Sequence, residues 1–370
     1  MNLHRRCVSL LIHIWLFVIM PASINAQNAQ SDPSQHATWA IALHGGAGSL
    51  PKDLPAEVVA RYRDGLRAAL DRGIAILKSG GTSLDAVNAT VNALEDNPLF
   101  NAGRGAVFNS AGYHELDASI MDGATLEGGG VAGVKQIKNP INAARLVMED
   151  RYHVLMAGDD ADTFAADRGC ATVDQPYFYT ERRWKQLIKT MSSMDLEPPT
   201  SPAYEVPSDQ NLNDSGEADT GETVGCVALD SHGNLAAATS TGGRTAKRYG
   251  RVGDSPILGA GTYANNKTAA VSGTGIGEEF IRHSIAARVG MRMELAGESV
   301  EAACRNCLEE VLRPGDGGLI AVDRTGKIFL GTNTPAMSRA WAHSDGRLEI
   351  AIWESPLDTA SGTGNEANSR

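Results

Sequence analysis

Hydrophobic and polar positions alternate along this chain in short blocks whose period changes several times. Trp39-Ala-Ile-Ala-Leu43 is a continuous apolar run, the pattern of a strand covered on both faces, and it leads into His44-Gly-Gly-Ala-Gly48. Apolar residues then recur at helical spacing over Ala56 to Lys78 and, behind a Thr82/Ser83 cap, over Leu84 to Leu94. Asn97 to Gly105 reads as a loop, followed by strand-like pieces around Val107, Leu116 to Met121 and Gly130 to Val134. Pro140 to Asp150 predicts a helix and Val154 to Ala157 a short strand. From about 192 to 222 Pro, Ser, Asp, Glu and Asn dominate, the composition of a flexible linker. Beyond it, Thr223 to Leu229, a turn at Asp230 to Asn234, and Leu235 to Thr241 predict a β-hairpin, apolar or small on both faces. Ala269 to Ser272 is another strand, Glu278 to Met293 and Ser299 to Leu312 are helices, and Gly318 to Val322 with Lys327 to Gly331 forms a second hairpin. Asp358 to Arg370 has the composition of disorder. Hairpins outnumber βαβ units, which predicts sheets packed together with helices outside.

Composition narrows the class without naming it. The 370 residues leave room for one large domain or two modest ones, and 42% hydrophobic with 21% charged residues is ordinary for a globular protein. Forty glycines imply many tight turns and close backbone approaches. The net charge of -11 repels phosphate backbones and argues against a nucleic-acid partner. Met1 to Ala26 has the order of a secretory signal: Arg5 and Arg6, an apolar Val8 to Met20, then small residues up to Ala26. A membrane anchor would need an apolar run of about 20 residues, and this one is shorter. Cleavage there predicts an exported protein, periplasmic or secreted, with a charge of -13 and no membrane attachment.

Several constellations compete for the chemistry. Cys304 and Cys307 sit in a helical stretch without the strand–helix context of a redox pair or the second ligand pair of a zinc site. They read as helix cysteines, free or bridged, and Cys170 and Cys226 have no evident role. Gly273-Thr-Gly-Ile-Gly277 follows a strand and opens a helix, but its third glycine falls one place early for a dinucleotide fingerprint. The same backbone suits a carboxylate or a reaction oxyanion. His114-Glu-Leu-Asp117 puts two carboxylates on one side of a strand, usually a structural arrangement. His44-Gly-Gly is like an esterase oxyanion loop, yet no G-x-S-x-G elbow exists to supply the serine. Arg251-Val-Gly-Asp254 offers a cation and an anion in one turn, either a surface ion pair or a grip on both ends of an α-amino acid. Thr223, Thr239, Ser240, Thr241 and Thr274 bring hydroxyls without an obvious histidine base. A threonine that becomes the first residue of a chain can be activated by its own amine, and the polar stretch ends at Thr223. Such a mechanism predicts a single acid-side titration of activity that needs no histidine.

Long ordered motifs then carry a resemblance. Thr223-Val-Gly-Cys-Val-Ala-Leu-Asp230, Gly233 to Gly243, Gly250-Arg-Val-Gly-Asp-Ser-Pro256, Gly259 to Asn266 and Thr274-Gly-Ile-Gly-Glu278 closely resemble the plant-type L-asparaginase/isoaspartyl peptidase family. So do His44-Gly-Gly-Ala-Gly48, Pro98 to Gly103 and His114 to Ala118, and the likeness runs from about Trp39 to Trp353. The resemblance implies an α+β fold, a four-layer αββα sandwich of the N-terminal-nucleophile hydrolase type. It implies a precursor cut between Glu222 and Thr223, giving an α chain (27–222) and a β chain (223–370) that form one catalytic domain, assembled as (αβ)2. Thr223 is similar to the nucleophile, Thr241 to the threonine supporting it and Thr239 to the first threonine of that stretch. Thr274 and the Gly275 N–H are similar to the oxyanion stabilisers. Arg251, Val252, Gly253, Asp254, Ile276, Gly277 and Asn101 match the substrate-binding positions. No cofactor is required. In some relatives backbone carbonyls wrap a structural sodium, and the matching positions are Leu94, Glu95, Asn97, Phe100, Ala102 and Arg104.

One residue departs from the pattern. The family has Gly before the nucleophile, or Asp in glycosylasparaginases, whereas this chain has Glu222. The leading expectation is hydrolysis of β-aspartyl amides: isoaspartyl dipeptides first, free L-asparagine second. Alternatives are a glycosylasparaginase, disfavoured by Gly242 after Thr241, and a non-catalytic binder of acidic amino acids that never cuts itself.

Overall fold

The apolar run at Trp39 becomes β1 (Ala40–Gly48), buried along all but its last residue. It belongs to the unit that begins at Ala37 in the computed structural model, which describes residues 38–48, 50–206 and 223–353. The expected signal segment, Glu222 and the tail 358–370 lie outside the described residues. Two helices follow, α1 (Ala56–Lys78) and α2 (Ser83–Glu95), the second capped by the Thr82 side chain on the Asp85 N–H. Then come β2 (Leu116–Asp122), β3 (Gly128–Val134), α3 (Pro140–Asp150) and β4 (Leu155–Ala157). Helices α4 (Gly158–Asp167) and α5 (Glu181–Ser193) have no counterpart in the sequence reading. The hairpin is β5 (Val224–Leu229) with β6 (Leu235–Thr241), followed by β7 (Thr262–Ala264) and β8 (Ala269–Gly275).

The expected helix Glu278 to Met293 is two helices, α6 (Gly277–His283) and α7 (Ile285–Ala296). Ser284 between them is left-handed, with φ +49°, which breaks the hydrogen-bond ladder. The stretch Ser299 to Leu312 forms α8 (Val300–Asn306) and then widens into a π turn. The second hairpin is β9 (Gly317–Asp323) with β10 (Ile328–Thr332), and β11 (Ala336–His343) and β12 (Leu348–Ala351) complete the chain.

Eight strands make one sheet in the order β12-β11-β1-β5-β6-β2-β3-β4, and four make a second, β10-β9-β8-β7. Strand alternation sorts their side chains into three apolar layers. Ile41, Leu43, Cys226 and Ala238 face α1, α2 and α3. Ala42, Val227, Ala237, Ala270, Ile320 and Val322 meet between the sheets. Val271, Leu319 and Ala321 face α7 and α8. Helix, sheet, sheet, helix is the four-layer αββα sandwich expected from the resemblance. Cys304 and Cys307 are free buried thiols in the outer layer.

The polar stretch is not a linker from its start. Helix α5 carries it to Ser193, the Ala203 N–H donates to the Gly112 carbonyl, and Tyr204 stacks on Phe108 at 6.5 Å. One aromatic residue thus pins a segment whose composition alone reads as solvated; residues 207–222 lie outside the description. Among the described residues no helix is long and apolar enough to cross a membrane.

Candidate active site

The layer between the sheets is apolar at one end and polar at the other. On β1 the inward positions run Ala40, Ala42, His44; on β6, Ala237, Thr239, Thr241; on β8, Ala270, Ser272, Thr274. A period of two therefore collects the hydroxyls on one face at one end of the sandwich. Thr223 enters there, immediately before β5, and only 8% of its surface is exposed. Its hydroxyl donates to Thr241 Oγ1 at 3.1 Å, and Thr241 Oγ1 also accepts the Gly243 N–H at 2.9 Å. Its carbonyl accepts from His44 Nδ1 at 3.0 Å. Ser240, on the opposite face of β6, turns away to Glu95.

Thr274 is two residues beyond Ser272 and shares its face; its hydroxyl accepts the Ala47 N–H at 3.2 Å. Gly275 has φ +148°, and a Cβ there would stand 2.0 Å from the Asp316 carbonyl, so only glycine fits this bend. Asn101 is buried, spanning from the Gly243 carbonyl (2.7 Å) to the Val107 N–H (2.9 Å), and so props the turn after Thr241.

Arg251 and Asp254 are not paired with each other. The Arg251 guanidinium makes a fork to Glu278, at 3.0 Å and 3.1 Å, with the arginine side chain 17% exposed. That corrects the simple surface pair: the anion comes from the start of α6, and the Arg251 hydrogen bond holds the Glu278 carboxyl below its usual range. Asp254 is buried, its Oδ2 has no hydrogen-bond partner, and burial pushes its carboxyl up to about 7. Gly277 completes the same wall, since a Cβ on it would lie 2.8 Å from Asp254 Oδ1 and 2.9 Å from Arg251 Nη2. Val252 is partly exposed and Gly253 lies against the Arg251 guanidinium. An unpartnered carboxylate beside a guanidinium suits a zwitterion: ammonium to one, carboxylate to the other.

His114, Glu115 and Asp117 are structural. His114 is wedged between the Val107 carbonyl and the Tyr204 hydroxyl, Asp117 Oδ1 accepts the Gly133 N–H, and the buried Lys247 ammonium donates to the Glu115 carbonyl. Sequence reasoning gave no role to Glu278, Lys247 or Ser272. Glu278 stood at the end of a quoted motif, but nothing local shows that it reaches Arg251.

The loop from Leu94 to Arg104 folds back on itself. The Leu94, Asn97 and Ala102 carbonyls accept from the Asn97, Phe100 and Gly105 N–H groups. Gly103, at φ +50°, brings the chain so close to Glu95 that a Cβ would lie 2.5 Å from its carbonyl oxygen. Backbone carbonyls are neutral, hard oxygens, the donor type of an alkali cation rather than of a transition metal. Among the described residues no cluster of His, Cys, Asp and Glu could hold a metal.

The Glu95 side chain has its own consequence. Its Oε1 accepts from Ser240 Oγ at 2.6 Å and from the Ile141 N–H at 3.0 Å, and burial raises its carboxyl to about 8. The folded state thus binds this proton more tightly than the unfolded chain, and the stability it brings is lost as pH rises towards 8. Glu95→Gln should remove that slope. Relative to wild type, the variant should melt higher at pH 8 than at pH 5; a difference independent of pH would mean the carboxyl is already ionised.

Comparison with known proteins agrees with this geometry. A family model described as asparaginase matches residues 37–352. The chain is 44% identical to an isoaspartyl peptidase of Escherichia coli, over 86% of this chain and 97% of the relative. It is 46% identical to one from Salmonella typhimurium, over 82% and 95%. With a probable isoaspartyl peptidase/L-asparaginase of Arabidopsis thaliana it shares 41%, over 85% and 99%.

Proposed function

The chain belongs to the asparaginase family, and on that premise we propose that it is a self-cleaving threonine amidohydrolase acting on β-aspartyl amides. One observation carries the reading: a buried threonine at the start of a strand with its hydroxyl on Thr241, in a chain whose Arg251 guanidinium and unpartnered Asp254 carboxylate meet at Gly277. Isoaspartyl dipeptides are the first substrate class and L-asparagine the second. A glycosylated asparagine is the alternative with the same acyl group.

Arg251 takes the substrate α-carboxylate and Asp254 its ammonium, which sets the side-chain carbonyl before Thr223. The freed Thr223 amine accepts the Oγ proton while Oγ attacks that carbonyl. Negative charge builds on the carbonyl oxygen, opposite the Thr274 hydroxyl and the Gly275 N–H. The C–N bond breaks, the departing amine takes the proton, and an aspartyl ester remains on Thr223. Water, deprotonated by the same amine, hydrolyses the ester and releases aspartate. In the maturing cut Thr223 Oγ attacks the Glu222 carbonyl and its proton passes to the departing Thr223 nitrogen. Water then hydrolyses the resulting Glu222 ester, restoring the hydroxyl and freeing the amine that serves as base in turnover. A sodium ion in the Leu94–Arg104 loop would stiffen the segment carrying Asn101; it enters no step.

The first 26 residues are read as an export signal, which places the enzyme in the periplasm or outside the cell, free of the membrane. A paired (αβ)2 assembly is supported by exposed apolar residues near the β4 edge: Leu126, Tyr152, Val154 and Leu155. The deciding experiment is kinetics on β-Asp-Leu, L-asparagine and glycosylated asparagine. A kcat/KM highest for the dipeptide supports the reading; turnover of the glycosylated substrate alone would replace it.

Burial of Asp254 changes the expected pH profile. Its carboxylate must be ionised to meet the ammonium, and its pKa of about 7 adds to that of an amine near 7.7–8.0. Both protons must leave as pH rises, so log kcat/KM should climb with a slope approaching two below about pH 6. Bound substrate keeps Asp254 ionised, so kcat should rise with a slope of one. A slope of one in both would take Asp254 out of the titrating set.

A further inference from the structure

Two side-chain hydrogen bonds hold Thr223, and the second opens onto a buried chain of polar groups. A carbonyl oxygen only accepts, so His44 Nδ1, 3.0 Å from the Thr223 carbonyl, carries a proton. Burial drives the imidazole pKa down to about 3, so the ring is neutral and Nε2 is a bare acceptor. Ser272 Oγ, at 3.0 Å, must donate to it. A hydroxyl has one proton to give. The next contact, 2.7 Å between Ser272 and Thr239, therefore runs from Thr239 to Ser272, ahead of the longer 3.3 Å approach to the Gly261 carbonyl. Thr262 in turn donates to Thr239 at 2.6 Å. Ser119 closes the series by giving its one proton to Thr262 Oγ1 at 2.8 Å, which leaves the Ser255 carbonyl, 2.6 Å away and beside Asp254, without it.

The opposite polarity satisfies the Ser255 carbonyl and fails at Thr223 instead, so each direction leaves one carbonyl unpaired and the hydroxyls alone do not choose between them. With the proton on Nε2, each hydroxyl could turn round, Ser119 donating to the Ser255 carbonyl. Nδ1 would then present a lone pair to the Thr223 carbonyl, and that contact would be lost. Glycine at 225 makes the arrangement possible, because a Cβ there would fall 2.0 Å from Ser272 Oγ and 2.5 Å from His44 Nε2.

We propose that His44 is a positioning residue for Thr223, held as the Nδ1–H tautomer between the Thr223 carbonyl and the Ser272 hydroxyl, with Thr239, Thr262 and Ser119 carrying the same polarity behind Ser272. Once the bond before Thr223 is cut, the chain end is tethered only on its C-terminal side. Its amine and hydroxyl keep their mutual aim because the carbonyl is pinned by His44 and the hydroxyl by Thr241. The inference rests on the reading of Thr223 as nucleophile.

The tautomer can be read directly. In the mature enzyme labelled with nitrogen-15 on histidine, His44 should show the proton on Nδ1; a proton on Nε2 overturns the proposal whatever the activity. Two variants test the consequence. Asparagine places its Nδ2 near the position of Nδ1 and can still donate to the Thr223 carbonyl, whereas glutamine reaches towards Ser272 instead. His44→Asn should keep kcat within about tenfold of wild type, and His44→Gln should lose roughly 100-fold with little change in KM. Equal or better activity in the glutamine variant would show that His44 only fills space. Ser272→Ala is the milder change if either variant misfolds: it should lower kcat about tenfold and mix the tautomers. Wild-type kcat in that variant overturns the tautomer lock. All variants are compared as cut protein verified by amino-terminal sequencing. Failure of the nucleophile reading shows separately, as activity surviving in Thr223→Ala.

Discussion

Thr223→Ala leaves a single uncut chain that turns over no β-aspartyl substrate. The substitution removes the only oxygen that can attack the preceding carbonyl, so the amine that would act as base is never released. Both parts of the mechanism vanish together, and the loss in kcat should be on the order of 10⁴–10⁶. Denaturing electrophoresis should show two fragments for wild type and one for the variant. Sequencing the smaller wild-type fragment should read Thr-Val-Gly-Cys-Val. A start at Thr220, or anywhere before Thr223, would falsify the assignment, and an uncut inactive wild type would favour the amino-acid binder. Thr223→Ser keeps hydroxyl and amine but loses the methyl that restricts χ1. It should therefore cut itself slowly and retain weak activity where alanine has none.

Arg251→Ala should raise KM for β-aspartyl substrates by a factor equivalent to about 2–5 kcal/mol, with the smaller effect on kcat. Truncation does more than remove a cation. Glu278, which now forks onto Arg251, would be left facing the place where the substrate carboxylate arrives, and two like charges would meet. Folding and self-cleavage should survive, because neither Thr223 nor its contacts at Thr241 and His44 involve Arg251. Steady-state kinetics on the cut variant is the check. Unchanged KM would return Arg251 to a structural ion pair with Glu278.

What the sequence determined alone was whatever repeats at short range. The limits of α1 and α3 follow from helical periodicity, and the hairpin of β5 and β6 from apolar runs around a turn. The residue types at the site were legible because their motifs are contiguous: Thr239-Ser-Thr241, Arg251-Val-Gly-Asp254, Thr274-Gly275. Helix α5 was not legible, since Arg182 and Arg183 occupy its buried face, bonded to the Pro98, Leu99 and Gly105 carbonyls. A buried arginine looks like solvent-facing polarity until its partners are known. Strand β11 hid for the same reason behind the buried Arg339, and β7 is too short to show a period.

The tertiary structure decided the pairings. His44 meets Thr223 across 179 positions of sequence, and Ser272 meets His44 across 228. Glu278 rather than Asp254 takes the Arg251 guanidinium, and Asp254 is left buried with an oxygen unmatched. Periodicity is a property of neighbours along the chain and survives in a linear text. Which strand lies beside which, in what register, and how much water reaches a carboxylate depend on two sheets closing face to face, and those are the quantities that set a tautomer or a pKa.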